Sequence, residues 1–93
     1  MARYVANDGK EFNNQKDAIS HNTYVAGLAE ERKGNKQEAI NYYTSAIKSF
    51  NLEPYGAYIH YIYVARARTY LNSGNLDLAE KDIEGVLAQI NKY

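Results

Sequence analysis

The feature that most constrains this 93-residue chain is that it nearly repeats itself at an interval of 40 residues. Lys33-Gly34-Asn35 returns as Ser73-Gly74-Asn75, and an alanine, Ala39 or Ala79, follows each glycine at the same offset. After the first glycine the apolar positions are Ala39, Ile40, Tyr43, Ala46, Ile47 and Phe50; after the second they are Ala79, Ile83, Val86, Leu87 and Ile90. Spacings of three, four, seven and eight place each set on one stripe of a helix. Upstream of each glycine the sequence predicts another helix, over 14–33 and 55–73, with Gly27 and Ala67 at equivalent places.

Each unit reads as two antiparallel helices. A glycine at the end of the first can adopt the left-handed conformation that satisfies the last carbonyls, and the asparagine after it can cap the second helix. Small residues (Gly27 with Ala39 and Ala46, Ala67 with Ala79) let the two backbones approach closely. Asn51-Leu52-Glu53-Pro54 closes the second helix, and Pro54 suits the first turn of the third. Gly85, inside the fourth helix, costs about 1 kcal/mol against alanine and is expected to mark close packing, within the chain or across a dimer.

The amino terminus differs. In Arg3–Phe12 an Asp8-Gly9 pair separates two short β-capable segments, a strong two-residue hairpin signal. With Asp8-Gly9 as the turn, Val5 faces Phe12, and both are expected to pack on the first helix. The division predicted is a hairpin cap over 1–13 and a helical domain over 14–93, with repeats at about 14–53 and 54–92.

Composition narrows the function classes. Eleven basic and eleven acidic residues give a formal net charge of zero, so no bulk field draws the chain to nucleic acid or an anionic membrane. Cysteine is absent, which removes disulfides and thiolate metal sites. No stretch has the length of a signal peptide's apolar core or approaches the roughly 18 apolar residues of a membrane span. A soluble cytoplasmic protein is the expectation. Near this size about 60–65% of the unfolded chain's surface can be buried, which makes a thin core.

The residues Tyr63, Arg66, Ala67, Tyr70, Gly74, Ala79, Asp82, Val86 and Leu87 resemble a tetratricopeptide repeat. Gly27, Gly34, Asn35, Ala39, Ile40, Tyr43, Ala46, Ile47 and Pro54 resemble a second copy, with Thr23 and Glu30 where large rings are usual. The resemblance implies an all-α fold of two stacked helical hairpins, four helices in all, with the β-hairpin in front. Family repeats run about 34 residues, so the extra residues, near Phe50–Tyr61, are expected to lengthen the second and third helices. Repeat stacks generally need three or more units and a cap, which makes the hairpin at one end and a second copy of the chain at the other the candidate covers.

Catalytic signatures are missing: the sequence has no phosphate loop, no nucleophile elbow, no dinucleotide fingerprint and no paired metal-binding histidines. His21 and His60 stand apart, and Glu30-Glu31 point in different directions on a helix, as on a solvated face. No catalysis, cofactor or metal is expected. The resemblance implies that the first helix of each repeat lines a concave groove for peptides. By position the groove carries His21, Tyr24, Leu28 and Arg32 from the first unit, and Tyr61, Val64, Arg68 and Leu71 from the second, with Tyr58 beside them. Hydrophobic anchors, with a carboxylate for Arg32 or Arg68, describe the expected ligand. Relatives that grip a chaperone's carboxyl-terminal tail use asparagine and lysine where this chain has tyrosine, leucine and valine. Two other readings stand beside this one. The third helix is apolar nearly all round, so Tyr58 and Tyr61 can instead be core in a self-associating building block. Tyrosine stacking with the two arginines would serve a nucleotide or other small ligand.

Overall fold

The computed structural model describes residues 4–6, 9, 11, 12, 15–49 and 57–90. A two-stranded antiparallel sheet, β1 (Tyr4–Val5) and β2 (Glu11–Phe12), precedes four helices: α1 (Gln15–Lys33), α2 (Lys36–Ser49), α3 (Ala57–Asn72) and α4 (Leu76–Ile90). Each helix packs on the next, and α3 also reaches back to α1, giving a flat stack of 45 × 34 × 16 Å. The fold class is all-α, as the sequence predicts.

The two turns inside the hairpins are built alike. Gly34 and Gly74 have φ of +87° and +85°, a conformation that costs an L side chain about 1–2 kcal/mol. After α1, Gly34 N–H donates to the Glu31 carbonyl at 3.0 Å and Asn35 N–H to that of Glu30 at 2.9 Å. After α3, Gly74 N–H donates to Leu71 and Asn75 N–H to Tyr70, at 3.1 and 2.8 Å. This nested pair of bonds uses two carbonyls that the helix end would otherwise leave bare. The Asn35 and Asn75 carbonyls then accept the first bonds of α2 and α4, from Ala39 and Ala79. Three residues thus end one helix and begin the next, and the chain reverses.

The core lies between the hairpins: Ala39, Tyr43 and Ala46 of α2 meet Ile62 and Ala65 of α3, flanked by Tyr24, Leu28, Ile47 and Ile59. At Gly27 the Tyr43 ring of α2 lies directly against the α1 backbone, since a Cβ there would lie 2.6 Å from a ring carbon of Tyr43. Gly85 is different from the expectation: a Cβ there would meet nothing within 4 Å, and the residue is exposed. Among the described residues it marks no close packing, because α4 is the last described helix and that side of it faces away from them.

The amino-terminal hairpin is present and packs against α1, but its register differs by one residue from the expected one. Val5 pairs with Glu11 and Tyr4 with Phe12. Gly9, at φ +89°, donates from its N–H to the Ala6 carbonyl at 2.9 Å, which makes a glycine-bulge turn rather than a two-residue one. A one-residue slip exchanges the faces of a strand; accordingly Val5 is 60% exposed and Ala6 is buried. The expected lengthening of the second and third helices, and the place of Pro54, fall on 50–56, outside the described residues. The surroundings of the Phe12 and Tyr58 side chains also lie outside them.

Candidate functional site

Helical geometry puts Tyr61, Val64, Arg68 and Leu71 on one stripe of α3, and His21, Tyr24 and Leu28 on the matching stripe of α1. The stack brings the two stripes side by side, but their members differ in access. Tyr61, Val64 and Leu71 are 63%, 44% and 56% exposed. Tyr24 and Leu28 are half-buried against the core, and Arg32 is exposed in the last turn of α1. His21, expected on the groove surface, is withdrawn from it: it is buried, with its ring 6.1 Å from that of Tyr24. The amino-terminal hairpin packs on the same helix, and Ala6 and Ala18 are buried with it.

Between the stripes runs a polar joint. Arg68 of α3 donates from Nε and Nη2 to the two oxygens of Glu31 on α1, at 2.6 and 2.7 Å, and the Tyr43 hydroxyl of α2 donates to the same carboxylate at 2.6 Å. A planar guanidinium on a carboxylate forms the stronger, two-pronged kind of ion pair. The Arg68 bonds first, and the Tyr43 hydroxyl after them, hold the Glu31 carboxyl below its ordinary value, against the opposing effect of burial. Burial first, then the neighbouring Glu31 charge, pushes the Tyr43 hydroxyl well up. Burial likewise raises Tyr24. Arg68 is therefore already paired within the protein, whereas Arg32 is exposed to solvent.

Glu31 itself was not legible as a site residue. Next to Glu30 it looks like part of a solvated face, and only the stacking of α3 on α1 supplies its partner. Its neighbour keeps the solvated role: Glu30 accepts from the Asn35 side chain at 2.8 Å and lies 3.5 Å from Lys33.

A second joint fastens α3 to α4. Arg66 donates from Nε and Nη2 to Asp82, at 2.8 and 2.6 Å, and from Nη1 to the Thr44 hydroxyl of α2 at 3.1 Å. Its guanidinium lies 5.4 Å from the Tyr63 ring centre and 5.7 Å from that of Tyr70, within range of cation–π attraction. One arginine thus ties three helices and fixes the direction of the α3 stripe. Its bonds to Asp82 raise it above the ordinary arginine value.

The stripe also borders an apolar groove of about 430 Å³ between α3 and α4: its Val64, Arg68 and Leu71 line it together with Ala67, Leu76, Ala79, Glu80 and Ile83. Among the described residues no three His, Cys, Asp or Glu side chains come together as a metal site would require. None of the described helices is long and apolar enough to cross a membrane.

The helix–glycine–helix units, each with its buried small residues, are matched by a family model. The tetratricopeptide-repeat model matches residues 24–50 and again residues 60–91. No curated protein and no solved structure matched the chain. Tetratricopeptide repeats are generally protein–protein interaction modules. Two matches covering well over half of the sequence establish that the chain belongs to the tetratricopeptide-repeat family.

Proposed function

We propose that this protein is a non-enzymatic binding module that holds a short segment of another protein along the joined stripes of α1 and α3. Tyr61, Val64 and Leu71 supply the apolar anchors, Tyr24 and Leu28 the floor, and Arg32 a positive end for a carboxylate. The observation that carries this reading is the exposure of three large apolar side chains in one helical row. They lie beside a bidentate ion pair that holds the row in place. Large apolar groups grouped on a rigid surface are what a peptide's anchors need, because little ordering cost remains to be met on binding.

The experiment is selection of a phage-displayed library of short random peptides on the immobilised protein, followed by affinity measurement on the selected peptides. Tyr61→Ala and Leu71→Asp are expected to weaken binding at least about tenfold, the loss of one good anchor, with an unchanged melting temperature. Peptides that bind both variants as tightly as the parent protein would place the contact elsewhere and overturn the reading.

A further inference from the structure

The internal repeat supplies a template for what sits on the open α3–α4 groove. Inside the chain, α3 is seated on the surface that α1 and α2 make together, where Tyr24, Leu28, Ala39 and Tyr43 receive Ile59, Ile62 and Ala65. Moving forward by the 40-residue interval, Tyr24 becomes Val64, Ala39 becomes Ala79 and Tyr43 becomes Ile83, all of which line the open groove. Moving back by the same interval, Ile59 becomes Ile19, which is 55% exposed on α1. One end of the molecule therefore carries the seat and the other end carries the helix that fits it.

We infer that the chain associates head to tail with a second copy of itself, α1 of one copy occupying the α3–α4 groove of the next. The exchange of residues at the polar joint favours this directly. The positions corresponding to the Glu31–Arg68 ion pair are Leu71 in the groove and Leu28 on the incoming α1, so both charged partners are replaced together by leucine. A seat that changed only one of them would leave a charge facing an apolar group.

Charge at the far end agrees. The Lys36 ammonium donates to the Asn72 carbonyl at 2.9 Å, so the end of α3 lies beside the start of α2. By the same placement the end of the incoming α1, with Arg32 and Lys33 in its last turn, lies beside the start of α4, where Asp77 and Glu80 are exposed. Asn22 stands where α3 has the fully buried Ile62, which makes the contact between copies weaker than the one within the chain and leaves it reversible. The contact is heterologous, so a pair of copies keeps one open groove and one free α1 to which further copies can add. The contact takes Val64 and Leu71 of the exposed α3 row and Arg32 of α1, so a seated copy and the peptide proposed above would compete for them, whereas Ile19 and Ile83 belong to this contact and not to the peptide row.

Sedimentation velocity of the full chain, from about 10 μM to about 1 mM, tests the proposal through mass action. The expected result is a weight-average mass that climbs past twice that of the monomer. Ile19→Lys and Ile83→Lys, both at exposed positions, are each expected to remain monomeric throughout while melting like the parent at low concentration. An equimolar mixture of the two retains one intact pair of surfaces and is expected to form a dimer that grows no further. A parent chain monomeric at every concentration overturns the proposal. So does an Ile19→Lys variant that still associates, which would mean that the contact does not use α1, or a mixture that stays monomeric.

Discussion

Two glycines inside helices should respond in opposite directions to the same substitution. Replacing glycine by alanine in a helix interior gains about 1 kcal/mol from backbone entropy alone. Gly85→Ala meets nothing within 4 Å, so it should keep the whole gain and raise the melting temperature by about 4–8 °C for a domain of this size. At Gly27 the new methyl would lie 2.6 and 2.7 Å from two ring carbons of Tyr43 and 3.2 Å from Cβ of Tyr42. Tyr43 is fully buried and its hydroxyl is bonded to Glu31, so the ring has no free space to enter and a charge-assisted bond to lose by moving. Overpacking of this kind costs about 1–3 kcal/mol and the hydrogen bond about 1.5–3 kcal/mol if it breaks. After the propensity gain, Gly27→Ala should be destabilising by about 2 kcal/mol, or about 10 °C. Thermal and urea unfolding followed by circular dichroism measures both variants. Tyr43→Leu supplies the control: in that background the cost of Gly27→Ala should shrink by at least about 1 kcal/mol, the coupling expected for residues in contact. A Gly27→Ala protein that melts at or above the parent would refute the close approach. A cost that stays the same in the Tyr43→Leu background would refute the ring as its cause.

Other outcomes follow from the joints and turns. Asp82→Ala should cost about 3 kcal/mol, because it leaves the mostly buried Arg66 guanidinium without its carboxylate; chemical unfolding reads this directly. Gly74→Ala should cost about 1 kcal/mol through its positive φ despite open space around it, with a lowered melting temperature and unchanged helix content. Since the Glu31 carboxyl is lowered in the fold, its contribution is present above the ordinary value of 4.5 and is lost as pH falls through the folded value. Half of Arg68 is in water, so screening limits the pair to about 1 kcal/mol, and Glu31→Gln should flatten the acid limb of a stability–pH curve by that amount. The raised Tyr43 acts in the opposite sense: its contribution is complete below pH 10, the unfolded value, and falls away as pH rises beyond it, a slope that Tyr43→Phe should reduce.

The helices and their turns were legible because they depend on residues close in sequence. Gly34-Asn35 and Gly74-Asn75 determine a helix end by backbone conformation alone, and Ala39, Tyr43 and Ala46 share a face through the helical period. The hairpin was legible in kind but not in register, because an Asp-Gly pair is compatible with either a two-residue turn or a glycine bulge one position over. Gly85 was legible only in part: sequence shows that a helix tolerates a costly residue, but not whether anything lies against it. The candidate site was least legible at Glu31, His21 and Arg68. The partners of Glu31 and Arg68 come from other helices, α2 and α3 for Glu31 and α1 for Arg68.

Those remote contacts also explain why the stack is asymmetric along its length. Inside the chain the joint between units is mixed: an apolar centre at Ile62 is flanked by the charged Glu31–Arg68 pair and the Tyr43 hydroxyl. Such a pair adds little net stability, but it penalises any register of α3 that leaves a carboxylate or guanidinium unpaired at a half-buried site. Register matters there because the two units must align once, permanently, as the chain folds. At the open end the same positions are leucines, which attract without specifying one alignment. The charged guides lie farther out, at Asp77 and Glu80, in water where they bias an encounter more than they hold it. A joint made once and kept calls for specificity, whereas a surface met from solution calls for exposed apolar area with a charged edge. Under the proposed association, the internal joint and the open groove are divided in that way.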